Sequence, residues 1–175
     1  EFSPESFFSG GDNAQVYALT LGGKFANPFW KDSYLTLEYT AIKPYSYMNG
    51  DPAQTYFSAG YQLGHSIGSN SVQYYFLFEQ YLSQPLKFET IFQLIKKGSK
   101  EDINEYYNRV TSTYPLLFGI VSTYSEIGIK LTYNPYHDLY FSVDYCNIIS
   151  ADDRYINEFN LLKGSSFSTS VNYGF

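Results

Sequence analysis

Ten residues, Ser166 to Phe175 (SFSTSVNYGF), alternate without a break. Phe167, Thr169, Val171, Tyr173 and Phe175 fall on one side, and Ser166, Ser168, Ser170, Asn172 and Gly174 on the other. Successive side chains of a strand point to opposite faces, so this segment reads as a β-strand with one apolar face and one small, polar face. Each face needs its own surroundings. Reading the rest of the chain for the same period gives seven segments, at about 13–23, 33–43, 71–83, 86–97, 120–133, 137–149 and 165–175.

The connections between these segments are unequal. Short ones fall at Phe25 to Asp32 (FANPFWKD), Ser83 to Leu86 (SQPL) and Asn134 to His137 (NPYH), each with a proline that suits a turn and cannot serve a ladder. Long ones fall at 44–70, 98–119 and 150–164, and short and long alternate strictly. Composition narrows the solvent. Aromatic residues make up 21% of the chain and charged residues 16%, below the ~25% of an ordinary soluble domain. Mean hydropathy is nevertheless −0.28, and runs such as Tyr74 to Phe78 (YYFLF) are far shorter than the ~18 apolar residues of a membrane-spanning helix. Strands with a lipid face and a polar lumen reconcile these values, because alternation averages hydropathy toward zero. A soluble β-sandwich with an aromatic core is the competing class.

The Phe-terminated strand resembles the closing strand of bacterial outer-membrane β-barrels. In such barrels the short turns are periplasmic and the long loops extracellular, which orients every segment. Leu35, Leu37, Tyr39 and Ala41 then face lipid, and Tyr34, Thr36, Glu38 and Thr40 face inward. Farther on, Leu139, Phe141, Val143 and Tyr145 oppose Asp138, Ser142 and Asp144, while Glu79, Glu89, Glu126 and Lys130 also fall on the wet side. Within 98–119, Ser99 followed by Glu101 and Asp102 reads as a helix start, with Ile103, Tyr106, Tyr107 and Val110 at helical spacing. The expected fold is all-β: an antiparallel transmembrane barrel of about seven strands, with a short helix in an extracellular loop. Residues 1–175 form one barrel segment, with 44–70 and 98–119 as its long extracellular loops. Bacterial barrels have even strand counts of about eight or more, so seven strands are expected not to close alone. The chain is then the C-terminal part of a larger barrel, with 1–12 in an extracellular loop and a further barrel segment or partner chain beside it.

Residues 37–70, LEYTAIKPYSYMNGDPAQTYFSAGYQLGHSIGSN, carry a more specific order. An inward acid precedes Tyr39 and Thr40; Pro44, Tyr45 and Tyr47 open the loop; Leu63, Gly64 and His65 follow, then Gly68 and Asn70 before the next strand. This resembles the Wzi-type capsule assembly proteins, outer-membrane barrels that hold capsular polysaccharide at the cell surface. The chain departs from that pattern at Ser69, where proline is expected, and at 48–51 (MNGD), where a histidine-bearing stretch is common. The resemblance implies an outer-membrane location and a non-catalytic protein that binds capsular or other surface polysaccharide and contacts outer-membrane lipid. Sugars offer apolar CH faces and hydroxyls, which suit tyrosine rings, amides and carboxylates. The candidate glycan-binding residues are Tyr45, Tyr47, Tyr61, His65, Asn70 and Glu38.

Two other classes stay open. One is a structural or porin-like subunit of an outer-membrane complex. The other is an outer-membrane lipid hydrolase, for which GHSIGSNS sets His65 beside Ser66, Ser69 and Ser71. A net charge of −6 argues against binding nucleic acid through its phosphates. The single cysteine, Cys146, cannot form an intramolecular disulfide, and no Cys/His spacing calls for a metal or cofactor.

Overall fold

The computed structural model describes residues 17–47, 57–58, 61–62, 64–99, 114–136, 138–151 and 164–173. Its strands are β1 (Ala18–Ala26), β2 (Ser33–Ile42), β3 (Phe57–Ser58), β4 (Tyr61–Gln62), β5 (Ser71–Ser83), β6 (Leu86–Lys97), β7 (Ser122–Tyr136), β8 (Leu139–Ala151) and β9 (Gly164–Tyr173). Seven of them form one antiparallel meander in the order β1-β2-β5-β6-β7-β8-β9, which does not close into a barrel. The expectation that the seven strands stay open holds. No helix occurs among the described residues, and none there is long and apolar enough to cross a membrane, which leaves crossing by strands untouched. The expected loop helix falls on residues outside those described.

Alternation located β5 and β6 at both ends, whereas the expected ends of the first and fifth segments, at 23 and 133, fall short of the observed ones. Gly22 and Gly23 do not end β1, which continues to Ala26. A Cβ on Gly22 would lie 2.8 Å from the Leu37 carbonyl oxygen, so glycine here permits close approach of β2 rather than a turn. The turn begins at Asn27, whose φ is 54°. The Asn27 N–H donates to the Ser33 carbonyl at 2.7 Å, and its Oδ1 accepts from the Asp32 N–H at 2.8 Å. Pro135 likewise does not end its strand. It sits in a register shift between Tyr133↔Phe141 and Tyr136↔Leu139, where the Asn134 N–H turns away to the Pro85 carbonyl at 2.7 Å. A further ladder within 44–70, Phe57↔Gln62 and Ser58↔Tyr61, is too short to show in an alternation pattern.

Two compact units are distinguishable. One comprises Glu1–Leu19, Thr40–Val72 and Lys97–Val121; the other comprises Thr20–Tyr39, Gln73–Lys96 and Ser122–Phe175. The first holds most of the well-buried apolar side chains, Ala41, Ile42, Tyr45, Ile67 and Val72. Ala41 was expected on an open lipid face; it is buried instead, together with Thr40, because the end of β2 is enclosed within this unit. The second unit is the open sheet, and its large apolar side chains lie exposed in rows.

Register defines those rows. On one face run Tyr133–Phe141–Val171, Leu131–Val143–Thr169 and Ile129–Tyr145–Phe167. On the other run Thr132–Ser142–Ser170, Lys130–Asp144–Ser168 and Gly128–Cys146–Ser166. Ser142 shares a 2.7 Å hydrogen bond with Ser170, and Lys130 pairs with Asp144 at 3.3 Å. Cross-strand pairs are the unit of sheet stabilisation, so each face is held by its own chemistry.

Candidate functional site

Within the first unit, the described residues of the 44–70 and 98–119 connections meet around Asn70. Its φ of 54° is left-handed, a conformation asparagine tolerates better than most residues. Its side chain is a three-way tie: Nδ2 donates to the carbonyls of Ser99 at 3.2 Å and Phe118 at 2.9 Å, and Oδ1 accepts from the Phe118 N–H at 2.9 Å. Its main chain adds two more bonds, donating to the Lys43 carbonyl at 3.3 Å and accepting from the Gly98 N–H at 2.8 Å. Asn70 therefore joins the starts of both long connections to the segment before β7. It is fully buried, and the tie consumes its amide.

Around this tie the loop 43–47 is similarly pinned. The Ser46 hydroxyl lies 2.7 Å from the Lys43 carbonyl and 3.1 Å from that of Tyr17. Tyr45, at φ 63°, is buried with its ring centroid 5.4 Å from that of Tyr114, which meets Phe118 edge-on at 4.5 Å. Lys97 donates to the Ile67 carbonyl at 3.1 Å. Tyr47 and His65 are the half-buried, reachable candidates. The His65 N–H donates to the Tyr47 hydroxyl at 3.2 Å, and a Cβ on Gly64 would lie 2.7 Å from the Tyr47 ring. Glycine at 64 is what lets the ring lie flat against the loop. His65 Nδ1 accepts from the Ile67 N–H at 3.4 Å, while the Ser71 hydroxyl donates to the Gly68 carbonyl at 2.5 Å. Both groups serve the loop's own turns.

Tyr45, Tyr47, His65 and Asn70 thus come together in one unit. Tyr61 lies in β4, and its side chain is outside the described residues. Glu38 belongs to the other unit, on the polar face of the sheet, where it acts electrostatically on Tyr75 along with Glu79, Glu89 and Glu126. That face also carries a chain of ion pairs: Lys24–Glu79 at 2.7 Å, Glu79–Lys87 at 2.6 Å and Lys87–Glu89 at 3.0 Å. Tyr124 donates to Glu126 beside it. Among the described residues no group of three His, Cys, Asp or Glu is arranged to hold a metal ion.

The opposite face bears a shallow apolar hollow lined by Leu21, Phe25, Leu37, Tyr39, Tyr74, Phe76 and Phe92. Toward the short-turn end of the same face Phe29, Trp30 and Phe78 cluster, with ring centroids 5.8, 6.2 and 6.1 Å apart. The sequence reading did not single out this cluster, although the FANPFWKD turn carries it. The signal was an aromatic pair beside a turn proline. No family model matches the chain, and neither the curated proteins nor the solved structures include a significant match.

Proposed function

We propose that the chain is a strand-forming segment of a bacterial outer-membrane β-barrel, similar to the Wzi-type capsule assembly proteins. In this reading it holds capsular or other surface polysaccharide at its long connections without catalysis. One observation carries the membrane part: the open sheet separates an exposed apolar face from a face of paired charges and hydroxyls. Water disfavours the first and hydrocarbon the second. A lipid-facing outside and a wet lumen satisfy both, since a Lys or Arg turned toward lipid costs about 2–4 kcal/mol at the bilayer midplane. The Phe29–Trp30–Phe78 cluster then lies at the periplasmic interface, and the unit built around Asn70 carries the extracellular loops.

Support for the polysaccharide part comes from the residue order in 37–70 and from Tyr47 and His65, which a ligand can reach. Tyr45 and Asn70 take a positioning role, holding the loop that presents those two. The full-length protein, purified in detergent and titrated with capsular polysaccharide, tests this reading. Binding that falls at least tenfold in Tyr47→Ala and His65→Ala, with the sheet's circular dichroism unchanged, supports it. A wild-type protein that binds no surface polysaccharide refutes it. The alternative is a structural or porin-like subunit of an outer-membrane complex, with the loop unit as a scaffold for a protein partner. Membrane insertion without glycan binding, together with one stoichiometric co-purifying protein, would select that reading.

A further inference from the structure

The turn between β1 and β2 holds two residues in a costly backbone conformation and commits the carbonyls of 30–32. Asn27 and Asp32 take left-handed φ values of 54° and 59°, which non-glycine residues keep only where their surroundings enforce them. The Trp30 carbonyl accepts from the Ser33 hydroxyl at 2.6 Å, the Lys31 carbonyl from Gln80 Nε2 at 3.0 Å and the Asp32 carbonyl from the Tyr81 N–H at 3.0 Å. The last two bonds fasten the turn to β5. Residues 30–32 therefore present three side chains on a rigid base.

Those side chains line a hollow on the apolar face together with Phe78, Leu82 and Phe88. Trp30 is 64% exposed, and its ring centroid lies 6.1 Å from that of Phe78. A second hollow shares these two rings and adds Phe29, Phe76 and Thr90, so the pair forms one groove. Lys31 and Asp32 are exposed, and neither forms an ion pair among the described residues, whereas Lys24 and Lys87 on the polar face are both committed to Glu79. The bond from Tyr81 sets Asp32 level with that residue. At ~3.3 Å per residue, Phe78 lies about 10 Å and Phe76 about 16 Å farther along β5. One end of the groove thus carries an unpaired cation beside an unpaired anion, and the rest is aromatic hydrocarbon.

A zwitterionic phospholipid has the same order, a phosphate and an ammonium at one end and acyl chains beyond them. The carboxylate narrows the headgroup further. A primary ammonium can donate to it, a choline has no N–H to donate, and a glycerol headgroup brings no cation. A peptide could match the two charges, but the hydrocarbon beyond them continues into the exposed apolar rows of the sheet, which suits acyl chains. We propose that this groove is a headgroup-selective site for one phospholipid of the ethanolamine class. Lys31 pairs with its phosphate, the Asp32 carboxylate accepts from its ammonium, and an acyl chain lies along Trp30, Phe78 and Phe76. This inference rests on the barrel reading above and adds to it a lipid of defined chemistry at a defined turn.

The test titrates the full protein, held in an uncharged detergent, with phospholipids brominated in their acyl chains and bearing an ethanolamine, a choline or a glycerol headgroup. Trp30 is the single tryptophan, so its quenching reads occupancy of the groove. Half-quenching by the ethanolamine lipid is expected at about one-fifth of the concentration the choline lipid needs, the advantage of one exposed charge pair. Asp32→Asn, in which asparagine tolerates the left-handed backbone, should bring those two lipids level. Lys31→Gln should weaken both about fivefold. Equal quenching by the ethanolamine and choline lipids overturns the proposal, as does a preference that survives in Asp32→Asn. Strongest quenching by the glycerol lipid also overturns it, since Lys31 would then be attracting negative charge alone. Failure of the barrel reading shows differently: none of the three lipids would quench Trp30.

Discussion

Replacing Asn70 by alanine should loosen the loop unit while sparing the sheet. The substitution removes three side-chain hydrogen bonds, to the Ser99 carbonyl and to both the carbonyl and the N–H of Phe118. At about 1 kcal/mol for each bond lost, the sum is about 3 kcal/mol. Alanine at a φ of 54° adds about 1 kcal/mol of left-handed strain. Since every 1.4 kcal/mol is tenfold in an equilibrium constant, exchange of the Phe118 amide should accelerate by a factor of several hundred. Asn70→Gly should recover about 1 kcal/mol of this, because glycine accepts the backbone conformation but not the bonds. Asn70→Asp should keep the bond from the Phe118 N–H but set a carboxylate against two carbonyls, and so should recover none of it. Hydrogen exchange followed by NMR in micelles reads all three variants at Phe118 and Gly98, with β8 amides as the unaffected control. Unchanged protection at Phe118 in the alanine variant would refute the assignment of Asn70 as the tie.

Other consequences can be measured on the same protein. Glu79→Ala should destabilise the sheet by about 2–3 kcal/mol in denaturant unfolding, because it strips two lysines of a mostly buried partner. Lys24→Ala, whose side chain is 56% exposed, should cost under about 1 kcal/mol, and equal effects from the two would contradict the network's geometry. Gly64→Ala should displace the Tyr47 ring and break its bond with the His65 N–H, read as a lost protection at the His65 amide and weaker polysaccharide binding. Val143→Arg should cost about 2–4 kcal/mol when the protein is unfolded from lipid vesicles, whereas Ser142→Arg, one residue away on the other face, should cost under half as much.

The long strands were legible because each carries its own instruction: a period of two over nine or more residues fixes both conformation and face, as in β5 and β6. What misled were residues whose meaning depends on a neighbour. The first segment was expected to end at 23, yet β1 runs on to Ala26, and Gly22 is small because the Leu37 carbonyl passes close by. Pro135 reads as a turn, yet a bulge absorbs it inside β7. The loop residues were harder still. Asn70 and Tyr45 looked like ligands because an amide and a phenol suit sugars, but their partners lie 48 and 69 residues farther along, at Phe118 and Tyr114, and no local pattern announces them. Ala41 was assigned by parity alone, which sets the face of a side chain but not what covers it. Tyr47 and His65, by contrast, kept both their proximity and their access.

In the proposed barrel the apolar face of the sheet meets lipid and the polar face meets water. Nitroxides placed singly at each position from Phe141 to Tyr145 and from Phe167 to Val171, in Cys146→Ser protein reconstituted in bilayers, test it by collision with oxygen and with a water-soluble nickel chelate. A period of two is expected. Oxygen should dominate at 141, 143, 145, 167, 169 and 171, and the chelate at 142, 144, 168 and 170. Chelate access at every position, or no alternation between neighbours, would contradict it.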